Sequence, residues 1–352
     1  MAEEQIKVLI VDDSPLVCKG LTEILNSDPQ IRVVGTAVNG KEAVEFVPKL
    51  KPDLICMDIN MPIMDGFEAT KQIMAYDPTP ILIVSTSVFK AGMEKAFKAI
   101  SFGALDVISK PSLDTGAFGQ EAQELINKVK VLSRIKVISH ILAKLEKPKT
   151  LKLSSVKKEI SEERIVGITS STGGPQALLQ ILKRFPKNFP CGIVIVQHIS
   201  SGFVEGLADW LNKECLIEVK IPQHNEQVQP GTAYLAPDNF QLRVSEERKI
   251  ELSDESPYDG FRPSGNVLFE SIAKAYKDGA VGVILTGMGT DGAQGMKTIK
   301  DSNGTTIAQD EKTSIVFGMP KAAIAMEAVD TILPLDKIAG EIMSERVLSC
   351  LK

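Results

Sequence analysis

The chain is short of the residues that build disulfide scaffolds and metal clips. Its 352 residues contain five cysteines, Cys18, Cys56, Cys191, Cys215 and Cys350, odd in number, scattered, and without C-x-x-C spacing. That argues against a disulfide framework or a cysteine zinc site and points to a reducing compartment. No apolar run approaches the ~20 residues that span a bilayer, and Met1–Lys7 is charged without an apolar core. Nor is there a charge excess to exploit: 40 basic residues against 45 acidic ones leave −5. Such a balance gives no support to a general nucleic-acid binder. The expectation is a soluble, cytoplasmic protein with no direct membrane insertion and no nucleic-acid partner.

What the chain does have, at 43% hydrophobic and 24% charged residues, is material for two globular domains. In the first, apolar runs at Ile6–Val11, Ile31–Val34, Leu54–Met57, Ile81–Val84 and Leu105–Ile108 alternate with helical patterns, which implies a parallel sheet. Polar residues follow the runs: Asp12 and Asp13, Asp58, Ser85, and Lys110. In a doubly wound sheet these carboxyl ends share one edge, where ligands bind. Three carboxylates there repel one another unless a hard cation such as Mg²⁺ lies among them, and a lysine and a hydroxyl suit phosphoryl oxygens. Any one of these residues is more simply a helix cap; five at matching strand ends are not.

Val11-Asp12-Asp13-Ser14, the stretch Met57-Asp58-Ile59-Asn60-Met61-Pro62-Ile63-Met64-Asp65-Gly66, and Ser109-Lys110-Pro111 resemble the response-regulator receiver domain. The resemblance implies a flavodoxin-like fold and phosphorylation of Asp58 by a histidine kinase. It implies Mg²⁺ held by Asp12, Asp13, Asp58 and the Asn60 carbonyl, with Lys110 on the phosphoryl oxygens. The switch hydroxyl would be Ser85, the first to follow the strand, with its neighbour Thr86 as the alternative. Val107 stands where the family often has an aromatic residue, which argues against an aromatic switch. Helical periodicity from Gln120 to Leu145 predicts that the last receiver helix runs on. Residues 146–163 lose that pattern and gather five lysines, as a solvated linker does.

The second half centres on Ile165–Pro175. An apolar strand stops at Ser170, Ser171, Gly173 and Gly174, and Pro175 then opens a helix. A serine at such a turn can be a nucleophile, with free backbone N–H groups to favour an oxyanion; a phosphate-binding or merely structural glycine turn is the plainer alternative. A nucleophilic serine needs a base, and the chain has three histidines. His140 approaches the linker and His224 lies in a polar loop, whereas His198 ends the run Gly192–Gln197. In the segment Val281–Gly292 an apolar strand again ends in a glycine turn, this one carrying Asp291. Three strands thus deliver serine, histidine and aspartate to one edge. The order Ser…His…Asp, and the absence of G-x-S-x-G, separate this from α/β-hydrolases.

Ser171-Thr172-Gly173-Gly174-Pro175, Val196-Gln197-His198, Ala233-Tyr234-Leu235-Ala236-Pro237, Arg262-Pro263-Ser264, the stretch Leu285-Thr286-Gly287-Met288-Gly289-Thr290-Asp291-Gly292, and Phe317-Gly318-Met319-Pro320 resemble the CheB-type chemotaxis methylesterase family. The resemblance implies an α/β architecture of two doubly wound parallel-sheet domains. A receiver (1–130), a helix extension and linker (131–163) and an α/β serine-esterase domain (164–345) follow in order. It implies hydrolysis of glutamate γ-methyl esters on methyl-accepting chemotaxis receptors, with deamidation of receptor glutamines. Ser171 would be the nucleophile (Ser170 next in line), His198 the base and Asp291 its orienter. The Met288 amide is the oxyanion candidate, and ester hydrolysis needs no cofactor. Gly265-Asn266 replaces the family's frequent Val-Asp, a difference expected to touch substrate contacts. The alternatives are a receiver-controlled binding module without catalysis and a DNA-binding regulator; the second is disfavoured because nothing after Glu163 reads as a helix-turn-helix.

Overall fold

A computed structural model describes residues 5–86, 90–112, 119–137 and 164–344, without the side chains of Lys90 and Ala91. The chain divides into two compact units, Met1–Lys147 and Pro148–Lys352.

The first unit alternates β1 (Ile6–Val11), α1 (Pro15–Asn26), β2 (Ile31–Ala37), α2 (Gly40–Leu50), β3 (Leu54–Met57), α3 (Gly66–Tyr76), β4 (Ile81–Ser85), α4 (Lys90–Ser101), β5 (Asp106–Ser109) and α5 (Gln120–Leu132). The sheet order is β2-β1-β3-β4-β5, all parallel, the flavodoxin-like arrangement. Each early helix starts on a side-chain cap: Ser14 accepts from Val17 N, Asn39 from Glu42 N and Asp65 from Glu68 N. The Glu42 carboxylate reaches back to Val38 N at 3.1 Å, closing a reciprocal cap. The last helix does not run on as its periodicity predicts. It stops at Leu132, where the Ser133 N–H bonds back to Val129 and Val131 and the hydroxyl to Lys130, and residues 135–137 are irregular. Residues 138–163, including His140 and nearly all of the expected linker, lie outside the described residues.

The second unit runs β6 (Ile165–Ser170), α6 (Gly174–Leu182), β7 (Gly192–Gln197), α7 (Val204–Glu214), β8 (Glu218–Lys220), β9 (Thr232–Leu235), β10 (Gln241–Val244), β11 (Ile250–Ser253), α8 (Gly265–Tyr276), β12 (Ala280–Ile284), α9 (Ala293–Asp301), β13 (Thr305–Gln309), α10 (Met319–Ala325), β14 (Thr331–Leu333) and α11 (Leu335–Ile342). Seven strands form a parallel sheet in the order β14-β13-β12-β6-β7-β9-β8, while β10 and β11 pair as an antiparallel hairpin. From β6 the chain winds toward β7; from β12 it winds the opposite way, toward β13. The switch point therefore lies between β6 and β12, and the crevice at their carboxyl ends is where such sheets bind ligands.

Close approach of α8 to the sheet depends on glycine. A Cβ on Gly167 would stand 2.5 Å from Ile272 and 3.1 Å from the Phe269 ring, and one on Gly295 2.6 Å from Phe269 Cβ. Phe269, fully buried, fills the space these glycines leave. Phe269→Ala should cost about 3–5 kcal/mol through lost burial and the cavity left behind. The sole tryptophan, Trp210, is buried in α7 of this unit, so denaturation followed by its fluorescence reads the loss here alone.

Candidate active site

The parallel register of the first unit brings the expected acidic residues together. Asp12 leaves β1, Asp58 leaves β3 and Lys110 leaves β5. Lys110 Nζ lies 2.6 Å from Asp12 Oδ2 and 3.1 Å from Asp58 Oδ2. Asp12 and Asp58 are buried and Asp13 is exposed, yet one oxygen from each falls within 4.8 Å of the others. Burial pushes the Asp58 carboxyl above its ordinary value; Lys110 pulls it down and Asp12 adds to the rise. Burial works against the Lys110 charge, but Asp12 and Asp58 outweigh it and raise its pKa, so it remains a cation.

The donor set of Asp12, Asp13 and Asp58 is all oxygen and anionic, which fits Mg²⁺, and Asn60 lies on the exposed turn beyond β3. Gly66 serves this turn, since a Cβ there would meet the Asp58 carbonyl oxygen at 1.9 Å. Ser85 is buried at the end of β4 and its carbonyl accepts from Lys110 N, while Thr86 is exposed. Val107 is fully buried within β5.

In the second unit the strand ends of β6, β7 and β12 are stitched to one another. His198 N donates to Ser170 O at 2.9 Å, Ser171 N to Thr286 O at 3.0 Å and Leu285 N to Thr169 O at 2.9 Å. Ser171, the first residue beyond β6, is half-buried at the switch point. Ser170 is fully buried, and its hydroxyl donates to Gln197 Oε1 at 2.6 Å. The same Gln197 amide donates to Ser171 O and His198 O, each at 2.8 Å, so one buried side chain ties both serines to the histidine. Glycine is required opposite it, because a Cβ on Gly174 would lie 2.0 Å from Gln197 Oε1.

His198 Nε2 stands 2.9 Å from Asp291 Oδ2. The approach is oblique rather than in line: among the described residues neither Nε2 nor Nδ1 of the ring has a hydrogen-bond partner of good geometry. The Asp291 carboxylate accepts from Ser264 Oγ at 2.7 Å, Gly265 N at 2.6 Å and Asn266 N at 3.2 Å, so it sits at the N-terminus of α8. Burial works to raise its pKa, but His198, the Ser264 hydroxyl and the Gly265 amide more than offset this and hold it below the usual carboxylate value.

Gly265 and Asn266 are buried rather than set toward a substrate. A Cβ on Gly265 would strike Thr169 Oγ1 at 2.5 Å, and Asn266 Oδ1 accepts from Gly295 N at 2.9 Å. The departure at these positions is thus a packing feature. Among the described residues no acceptor takes the backbone N–H of Thr172 or Met288, which lie in the turns after β6 and β12. Gln309 and the loop before Phe317 brace the second turn: Gln309 Oε1 accepts from Thr286 N, and Thr286 Oγ1 accepts from Val316 N. His224, exposed, accepts from Leu252 N.

Sequence reasoning missed Gln197, Ser264, Gln241 and Phe261 as parts of the site. Gln197 stands beside His198 in a strand otherwise apolar, and that lone amide was a usable signal. Phe261 stacks flat on His198 from a loop more than sixty residues away in the chain, and nothing local marks it.

Fold and sites define a class: a response regulator in which a receiver precedes a parallel α/β hydrolase domain. The model for CheB methylesterase matches residues 166–342, and that for the response regulator receiver domain matches residues 8–117. The chain is 46% identical over 337 residues to protein-glutamate methylesterase/protein-glutamine glutaminase 1 of Syntrophus aciditrophicus, covering 95% of this chain and 96% of that one. A relative of the same name from Archaeoglobus fulgidus is 42% identical over 341 residues, covering 96% and 97%. Among solved structures, the Thermotoga maritima CheB methylesterase catalytic domain aligns with a TM-score of 0.50 at 40% identity, over 51% of this chain and 97% of that one. The chain belongs to the CheB methylesterase family.

Proposed function

We propose that the chain hydrolyses glutamate γ-methyl esters on methyl-accepting chemotaxis receptors, deamidates receptor glutamines at the same site, and is activated by phosphorylation of Asp58. The relatives' names support the substrate class. The observation that supports the chemistry is that Ser171 and His198 directly follow the neighbouring strands β6 and β7, and that His198 Nε2 lies 2.9 Å from Asp291 Oδ2 in the turn after β12. We assign the catalytic domain to 164–345, the receiver to 1–130 and the linking segment to 131–163, in a cytoplasmic protein; no helix among the described residues is long and apolar enough to cross a membrane.

Ser171 Oγ attacks the ester carbonyl as His198 Nδ1, the ring nitrogen facing away from Asp291, takes its proton. Asp291 steadies the resulting imidazolium. The N–H groups of Met288 and Thr172 hold the tetrahedral oxyanion. His198 returns the proton to the leaving methoxide, and methanol departs. Water, deprotonated by His198, then attacks the acyl-serine, and its breakdown releases glutamate and the Ser171 hydroxyl. From glutamine the first leaving group is ammonia.

In the receiver, the Asp58 carboxylate takes a phosphoryl group from a chemotaxis histidine kinase, and Lys110 and Ser85 bond its oxygens. Asp12, Asp13, Asp58 and the Asn60 carbonyl would hold Mg²⁺, which would supply charge neutralisation.

Methanol release from methylated receptor membranes tests this reading. With Mg²⁺ and acetyl phosphate the full chain should accelerate by about 5- to 150-fold, the range of a 1–3 kcal/mol coupling. Asp58→Asn should keep only the basal rate. Equal stimulation of both proteins would remove Asp58 from the gate, and no release under any condition would leave the binding-module reading.

A further inference from the structure

Asp291 restrains His198 at one atom only. A single oblique contact at Nε2 sets where that nitrogen lies but not the tilt of the ring, and the outer torsion of a histidine is intrinsically broad. The ring plane is held from another side. Phe261 lies parallel to the imidazole, with centroids 4.6 Å apart and planes 13° from coincidence. That separation falls in the range of favourable offset stacking.

Phe261 is itself fixed. Its N–H and carbonyl exchange hydrogen bonds with Tyr258 at 2.9 and 3.0 Å, and its carbonyl also accepts from Gln241 Nε2 at 2.9 Å. Gln241 is fully buried, and its Oε1 accepts from Ser264 N at 2.8 Å. Ser264 in turn donates to Asp291. Residues 258–264 therefore hold the histidine by its face and the aspartate by a hydroxyl, from one braced segment.

We propose that Phe261 is a positioning residue for the esterase: its ring face sets the His198 imidazole plane, keeping Nε2 on Asp291 and Nδ1 free for the Ser171 hydroxyl. The proposal rests on His198 as the base. Tilting the ring misdirects the Nδ1 lone pair at the moment of proton transfer, so the loss falls on kcat; substrate affinity is not involved.

The test compares Phe261→Leu, which keeps apolar bulk without a flat face, with Phe261→Tyr, which keeps the ring, in the full chain. Steady-state methanol release should show kcat lower by about three- to tenfold in Phe261→Leu, the value of an aromatic pair, with KM within about twofold. Phe261→Tyr should match wild type. A ¹H–¹³C spectrum of the imidazoles resolves three histidines, and His198→Gln assigns the relevant one. Its ring protons should move downfield in Phe261→Leu as the ring current is lost. Wild-type kcat in Phe261→Leu, equal impairment in both variants, or a change in KM alone would overturn the proposal. An unchanged His198 spectrum would refute the stack itself. A wild-type chain that releases no methanol would instead refute the esterase reading, and this role with it. Should Phe261→Leu fail to fold by Trp210 fluorescence, Phe261→Met makes the same comparison.

Discussion

Ser171→Ala is expected to abolish measurable methanol release, a loss on the order of 10⁶-fold for a serine that forms the covalent intermediate. The neighbouring Ser170→Ala should remain an esterase. The difference follows from how each serine is placed. Ser170 ends β6 fully buried, and its proton is already committed to Gln197 Oε1. Ser171 is the first residue outside the strand and half-buried, and among the described residues the N–H groups of Thr172 and Met288, in the turns after β6 and β12, have no acceptor. Losing the Ser170 hydroxyl strands a buried amide oxygen, so that variant should lose about 1–3 kcal/mol of stability instead of its chemistry. Methanol release and Trp210 fluorescence separate the two: one variant folded and inactive, the other active and easier to unfold. An active Ser171→Ala would move the nucleophile.

Asp291→Asn should lower kcat by about 10⁴-fold, the loss seen when the orienting carboxylate of a serine hydrolase becomes an amide. The carboxylate here accepts three hydrogen bonds from Ser264 and the first amides of α8 besides the His198 contact. An amide has one accepting atom. Either its NH₂ takes the place of Oδ2, where it faces both the Gly265 N–H and His198 Nε2 and favours the wrong tautomer, or it takes the place of Oδ1 and faces the Ser264 hydroxyl and the Asn266 N–H. Stability should change as well, with a definite sign. The Asp291 pKa is depressed in the folded chain, so the carboxylate stabilises the fold above the unfolded value near ~3.9 and loses that contribution as pH falls through the folded pKa. Asp291→Asn should therefore be less stable than the parent at neutral pH, with the gap closing in acid. Parental kcat in this variant would show that His198 needs no orienting carboxylate.

Much of this was legible in the sequence because parallel sheets write their function at strand ends. Asp12, Asp58 and Lys110 each follow an apolar run, and so do Ser171, His198 and Asp291; a shared direction of the strands is enough to gather them. The central strands could be read because both their faces are buried, which makes each an unbroken apolar run. Short strands were not readable in the same way. β8 and β14 have three residues each, and the β10–β11 hairpin mixes polar and apolar residues on a half-covered surface. The last receiver helix was overread: apolar periodicity continues past Leu132, but capping at Ser133 ends the helix. The supports of the site were illegible for another reason. Gln197, Ser264, Gln241 and Phe261 act through contacts between distant segments, and a contact across the sheet edge leaves no local pattern. Ser264 precedes α8 and Asn266 lies in its first turn, and together with Gly265 they cradle Asp291.

The nucleophile itself can be identified by covalent labelling. A fluorophosphonate ester gives up fluoride to an activated serine oxygen and leaves a phosphonyl group on it, which peptide mass spectrometry locates. The full chain should carry the label on Ser171, Ser170→Ala should carry it there too, and His198→Gln should label far more slowly. A label on Ser170, or an unlabelled Ser171 in a chain that still releases methanol, would contradict the assignment.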